Sequence, residues 1–203
     1  LSLEFISVPR TTSQTPAGLV VCLHGWGANA QDLASFSGEL DLDNYQFFFP
    51  DAPFPHPNVP GGKMWYDLER QDFQQLADSR QRLGNFLNSL AEKTSVPLSR
   101  TFLSGFSQGG AMTLDVGLTL PLAGLISLSG YLHAEPQAST DGYPPILMMH
   151  GQQDQVVPLS AAQRAQMVLS ELGATVDYHE FNIGHWIVPE QLTLMRRFIQ
   201  LHS

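Results

Sequence analysis

Cysteine is almost absent from this chain: Cys22 is the single one among 203 residues. No intrachain disulfide can form, and a metal cluster built on two cysteines is excluded. Cys22 sits in the apolar run Leu19-Val20-Val21-Cys22-Leu23, where its expected role is that of a small buried hydrophobe. The lack of disulfides fits a reducing, cytoplasmic compartment. Positive charge is also scarce. Ten Lys and Arg stand against nineteen Asp and Glu, a net charge of −9, which argues against a nucleic-acid or anionic-membrane surface. No apolar run approaches the ~20 residues of a membrane helix. No signal peptide opens the chain, although it starts at Leu1 rather than methionine, which leaves N-terminal trimming open. Internal repeats and low-complexity tails are missing. No His/Asp/Glu set has metal-ligand spacing, so neither a metal nor a cofactor is expected.

What is present describes a globular protein. Hydrophobic residues make up 43% and charged residues 14%, and the length suits one domain spanning 1–203. Leu3, Glu4 and Phe5 alternate as an opening strand that ends at Pro9, and Thr11 to Gly18 reads as a turn. Leu19–Leu23, Tyr45–Phe49, Thr101–Leu103, Ala123–Leu128 and Ile146–Met149 are short continuous apolar runs, the mark of strands buried on both faces. Thr175–Phe181 alternates as a further strand. Between them, helical spacing covers Asn29–Leu40, Leu68–Thr94 with an interruption at Gly84, the stretch after Ser107, Leu159–Leu172 and Pro189–Leu201. Pro50 to Gly62 is dense in proline and glycine and reads as an ordered loop near a site. Strands alternating with helices indicate a mostly parallel α/β sheet, with sites at the C-terminal ends of its strands.

The organising stretch is Phe102-Leu103-Ser104-Gly105-Phe106-Ser107-Gln108-Gly109-Gly110-Ala111-Met112. It holds Gly105-x-Ser107-x-Gly109, the G-x-S-x-G pattern of a nucleophile elbow between a strand and a helix. A serine needs a base, and the base needs a group to orient it. The α/β-hydrolase order is Ser, then Asp or Glu, then His. Here Asp154 follows Ser107 by 47 residues and His185 follows Asp154 by 31, each on a loop after a strand. The backbone amides of Gln108 and Trp26, the latter in the His24-Gly25-Trp26-Gly27 turn, are the expected oxyanion donors.

Other polar residues have plainer readings. Ser104 and Ser129 lack the flanking glycines of an elbow, and Asp51 and Asp67 precede the nucleophile and read as turn caps. Asp141 precedes Gly142 in a turn, and Asp177 and His179 sit on a strand surface. His24 and His150 are expected to shape their loops by hydrogen bonding, whereas His56, His133 and His202 carry no partner signal. Trp65 and Tyr66 are read either as core or as walls of the substrate site, with Leu132 and Trp186 as further candidate substrate contacts.

Taken together, these residues resemble the phospholipase/carboxylesterase family, which includes acyl-protein thioesterases and small bacterial carboxylesterases. The likeness runs through Leu23-His24-Gly25-Trp26-Gly27, Gly105-Phe106-Ser107-Gln108-Gly109-Gly110-Ala111-Met112, Ser129-Gly130-Tyr131 and His150-Gly151-x-x-Asp154-x-Val156-Val157-Pro158, with Gly184-His185 completing it. It implies an α/β-hydrolase without a large cap domain that cleaves acyl esters or thioesters. Ser107, Asp154 and His185 match the family's triad, and the amides of Trp26 and Gln108 its oxyanion hole. Three departures lie near the expected acyl site: Ala28 where the family usually has aspartate, a shortened segment between Gly62 and Trp65, and Trp186 after His185. The implied partner is a small-molecule or lipid-like ester. The expected activity is a serine carboxylesterase, with lysophospholipase, acyl-protein thioesterase or a non-catalytic binding module as alternatives. A dienelactone hydrolase would need cysteine at the elbow, and a peptidase of this fold would need extra domains. Apolar loops around Trp65 and Leu132 suggest a homodimer that buries them.

Overall fold

The computed structural model describes residues 2–8, 15–140 and 142–203. The first half of the turn expected from Thr11 to Gly18 lies outside the described residues, as do Pro9 and Asp141. In chain order the elements are β1 (Phe5–Val8), β2 (Gly18–Leu23), α1 (Ala30–Ala34), α2 (Phe36–Glu39), β3 (Tyr45–Pro50), β4 (Phe54–Pro55), β5 (Lys63–Met64) and α3 (Phe73–Thr94). They continue with β6 (Thr101–Phe106), α4 (Gln108–Gly117), β7 (Gly124–Leu128), β8 (Ile146–Gly151), α5 (Leu159–Glu171), β9 (Val176–Phe181) and α6 (Pro189–Leu201).

Seven strands form one sheet in the order β1-β3-β2-β6-β7-β8-β9. All neighbours are parallel except the edge strand β1, which runs antiparallel to β3. Successive side chains of a strand point to opposite faces, and both faces here are covered. Leu19, Val21, Leu23, Leu103, Leu125 and Met148 pack with leucines of α3, Met112 and Leu114 of α4, and Ala165 and Leu169 of α5. Val20, Phe47, Phe49, Ile126, Leu147 and Met149 pack against Ala30, Leu40 and the buried stripe of α6, Leu192, Met195, Phe198 and Ile199. This double cover is why the strands read as unbroken apolar runs.

Several elements depart from their expected bounds for identifiable reasons. Leu3 is buried, but it precedes the first strand, which begins at Phe5. The helix expected from Asn29 to Leu40 is two short helices broken at Ser35. Asn29 caps the first with its side chain, while Ser37 Oγ donates to the Ala34 carbonyl at 2.7 Å near the break. The long helix begins at Phe73 rather than Leu68. Gln71 adopts φ 51°, and the Asp72 carboxylate accepts from the amides of Gln74 and Gln75. Gly84 does not interrupt it. Burying a leucine stabilises by roughly 1.5–3 kcal/mol, and Leu83, Leu87 and Leu90 together outweigh the ~1 kcal/mol cost of one helical glycine. Within the proline-rich loop β4 pairs with β5, which directly follows the loop and is pinned to the turn after β2: Gly27 N donates to Lys63 O at 2.9 Å and Lys63 N to Ala28 O at 2.8 Å.

Candidate active site

The C-terminal ends of the parallel strands carry the site. Ser107 follows β6 directly, with φ 56° and ψ −118°, a conformation that L-residues other than glycine rarely hold. The surroundings over-determine it. Ser107 N donates to Leu128 O at the end of β7 (2.8 Å), and Ser107 O accepts from Ala111 N in the first turn of α4 (3.0 Å). The hydroxyl therefore stands at the N-terminus of a ten-residue helix.

His185 lies on the loop between β9 and α6, and its Nε2 is 3.0 Å from Ser107 Oγ. Its Nδ1 is 2.7 Å from Asp154 Oδ2. Asp154, on the loop after β8, is fixed in turn. Its Oδ1 accepts from the amides of Val156 and Val157, both at 2.9 Å, which leaves Oδ2 for the imidazole. Burial opposes ionisation of this carboxyl, but hydrogen bonds from His185 and the two amides outweigh it and hold the pKa below its ordinary value. An ionised Asp154 can only accept, so His185 carries its proton on Nδ1 and presents the Nε2 lone pair to the serine. Two backbone bonds tie the Asp154 and His185 loops together: Gln152 N donates to Phe181 O (2.7 Å) and Gln153 N to Ile183 O (2.9 Å). His150, fully buried, donates from Nε2 to Val157 O at 2.9 Å and supports the same loop.

The His24–Gly27 turn packs against the serine, since a Cβ on Gly25 would lie 3.4 Å from Ser107 Cβ. His24 holds it from behind. Burial lowers the His24 pKa, and Nε2 accepts from Ala52 N at 3.0 Å. Gln108 is a two-ended clamp: its side-chain Oε1 accepts from Trp65 N (2.9 Å) and its Nε2 donates to Tyr66 O (2.8 Å). Among the described residues no protein acceptor takes the backbone N–H of Trp26 or of Gln108.

A cleft of about 660 Å³ opens over Ser107 and His185. Tyr66 and Leu132, candidate substrate contacts in the sequence, line it together with Trp26. Two residues expected there are elsewhere. Trp65 is 0% exposed, and its indole Nε1 donates to His24 O at 3.0 Å, so it is a core strut under the turn rather than a cleft wall. Trp186 is 56% exposed and lies off the cleft, its ring packed over the backbone of Gly184. Asp67 accepts from Arg70 N (3.0 Å) in a turn as expected, whereas Asp51 accepts from Ala30 N (2.7 Å) at the start of α1, a contact 21 residues away in the chain.

Sequence reading misses two features of the cleft. Leu68, Phe73 and Val156 form an apolar rim, with Phe73 71% and Val156 68% exposed. Phe73 fits a helical core pattern in the sequence, but it falls on the first turn of α3, beyond the sheet. Tyr131 and His133 line the cleft as well, and His133 reaches Tyr66 and Asp115. No spacing rule links three partners brought from separate segments. Among the described residues no group of three or more His, Cys, Asp or Glu is arranged to hold a metal ion, and no helix is long and apolar enough to cross a membrane.

Comparison with known proteins places this geometry in context. Residues 6–203 match the family model described as Phospholipase/Carboxylesterase. Acyl-protein thioesterase 1 of Neurospora crassa is 32% identical over 219 residues, covering 95% of this chain and 89% of that protein. Acyl-protein thioesterase 1 of Gibberella zeae is 29% identical over 201 residues, covering 87% and 84%. Among solved structures, esterase PE8 superposes with a TM-score of 0.92 at 30% identity, over 100% of both chains. The architecture is the α/β-hydrolase fold, without a large cap domain among the described residues.

Proposed function

This chain belongs to the phospholipase/carboxylesterase family, and we propose that it hydrolyses carboxylic esters and thioesters through an acyl-enzyme on Ser107, as a single domain. One observation carries the serine mechanism: the hydrogen-bonded series Ser107–His185–Asp154, at 3.0 and 2.7 Å, on a strained strand-to-helix turn.

In the proposed reaction His185 Nε2 takes the proton of Ser107 Oγ as that oxygen attacks the substrate carbonyl. Asp154 holds the tautomer and stabilises the imidazolium. The tetrahedral oxyanion is received by the amides of Trp26 and Gln108, each such donor being worth about 10²–10³ in turnover. Collapse expels the alcohol or thiol, which takes the proton from His185 and leaves Ser107 acylated. Water then attacks the acyl carbonyl, with His185 again accepting the proton, and the carboxylic acid departs as Ser107 is restored.

The apolar rim of Leu68, Phe73 and Val156 supports substrates with an extended acyl chain, the lipid-like end of the ester class. The test is hydrolysis of 4-nitrophenyl esters from acetate to palmitate by the wild type and Ser107→Ala. The expected result is turnover that rises with chain length beyond acetate and disappears in a mutant that still folds. A fully active Ser107→Ala protein overturns the mechanism, and a maximum at acetate overturns the extended acyl site.

A further inference from the structure

A second chain of hydrogen bonds ends in the same cleft. It starts on α3, where Arg80 grips Asp115 of α4, with Nη2 3.0 Å from Oδ1. Asp115 Oδ2 is 3.2 Å from His133 Nδ1, and His133 Nε2 is 2.9 Å from the Tyr66 hydroxyl. The Tyr66 hydroxyl is 2.7 Å from that of Tyr131. Tyr66, Tyr131 and His133 all line the cleft over Ser107.

The donors in this chain can be assigned from its fixed end. Burial opposes ionisation of Asp115, but the bonds from His133 and Arg80 prevail and keep its carboxyl below the ordinary pKa. An ionised carboxylate only accepts, so His133 donates from Nδ1. When the imidazole is unprotonated at Nε2 it offers a lone pair there, and Tyr66 donates to it. Tyr66 has one proton, now used, so Tyr131 must donate to the oxygen of Tyr66. Both phenols keep their protons, since burial raises the pKa of each. Tyr131 is left with lone pairs and no free proton, in a cleft whose rim is apolar.

We infer that Tyr131 is a specificity-determining hydrogen-bond acceptor, held in that state by Tyr66, His133 and Asp115. It selects ester substrates that carry an N–H or O–H donor, such as an amide or a hydroxyl. The inference rests on the proposed ester hydrolysis at Ser107 and adds a substrate class to it.

The test uses matched esters that differ in one donor. One pair sets a secondary amide in the acyl part against its N-methyl form; the other sets a hydroxyl in the alcohol part against its methyl ether. The wild type is expected to favour the donor member of at least one pair by about 5-fold in kcat/KM, the value of one ordinary hydrogen bond. Tyr131→Phe keeps the ring and brings that ratio close to one. Tyr66→Phe frees the Tyr131 proton to turn toward the cleft, and the ratio falls there too. A purely structural role would slow both members together and leave the ratio unchanged. Hydrolysis of both members at equal rates by the wild type, or an unchanged ratio in a folded Tyr131→Phe protein, overturns the inference. No hydrolysis of any ester would instead sink the Ser107 mechanism, and this inference with it.

Discussion

A Cβ on Gly105 would stand 2.2 Å from the carbonyl oxygen of Gly109, so strand β6 and helix α4 meet backbone to backbone at the elbow. Gly109 is as confined on its other side, where a Cβ would lie 2.2 Å from the carbonyl oxygen of Leu23. Neither contact is with a flexible side chain that could move aside. Gly105→Ala and Gly109→Ala are each expected to destabilise the protein by about 1–3 kcal/mol or more, the usual range for overpacking. Urea midpoints measure this; a mutant as stable as the wild type would contradict the seating of α4 described here.

Asp154→Asn should separate orientation from folding. The asparagine can still accept from the Val156 and Val157 amides, but its NH₂ can face His185 and favour the wrong tautomer. Turnover should fall by about 10⁴-fold with the fold intact. Near-wild-type kcat in a folded Asp154→Asn protein would remove Asp154 from the mechanism.

Gln108 acts through two different groups. Its backbone N–H is the proposed oxyanion donor, and its side chain clamps Trp65 N and Tyr66 O. Gln108→Ala keeps the first and removes the second, leaving two buried backbone groups without partners. The expected loss is about 1–3 kcal/mol per group in unfolding free energy. The lowered kcat should come with a looser Tyr66 segment, seen as faster amide exchange at Trp65. Unchanged stability would show that the clamp contributes nothing.

Acid sensitivity should report on Asp115. Its folded pKa lies below the ordinary value, so the unfolded chain binds more protons in acid. The stability it contributes is therefore present above the ordinary carboxylate pKa of about 3.9 and lost as pH falls through the lower, folded value. Asp115→Asn should be less stable than wild type at pH 7, with the gap closing toward pH 3. Urea midpoints across that range that run parallel for the two proteins would rule this out.

The rim makes a separate prediction about chain length. Phe73 contributes little to the core, being 71% exposed, so Phe73→Ser should change stability by no more than about 0.5 kcal/mol. Its effect should fall on long substrates, with kcat/KM for long acyl chains down about 5-fold and that for acetate little changed, as expected for partial burial of one phenylalanine. Equal losses on acetate and palmitate esters would place the acyl chain elsewhere.

Local chemistry made much of this molecule legible in the sequence. The strands were readable because a parallel sheet covered on both faces requires unbroken apolar runs such as Leu19–Leu23 and Ile146–Met149. The elbow was readable because only glycine at 105 and 109 lets β6 and α4 close around Ser107. The order Ser107, Asp154, His185 followed from the fold class, since each lies just past the C-terminal end of a strand in one sheet. Element starts were less legible, as at Phe73, because capping by Asp72 overrides the apolar periodicity before it.

Side-chain direction was decided only in three dimensions. Trp65 and Tyr66 are adjacent in sequence, yet Trp65 is a buried strut whose indole bonds His24 O and Tyr66 is a cleft wall whose hydroxyl meets Tyr131 and His133, contacts made only with distant segments. Trp186 is next to His185 but lies off the cleft, its ring packed over Gly184. His133 carried no signal because its partners, Asp115 and Tyr66, come from a helix and a loop that only the folded sheet brings within 3.2 and 2.9 Å. Local pattern and chain order are enough to read the architecture and to nominate Ser107, Asp154 and His185 for ester chemistry. Only the tertiary structure decided which side chains surround the substrate, because that depends on contacts between segments far apart in the chain.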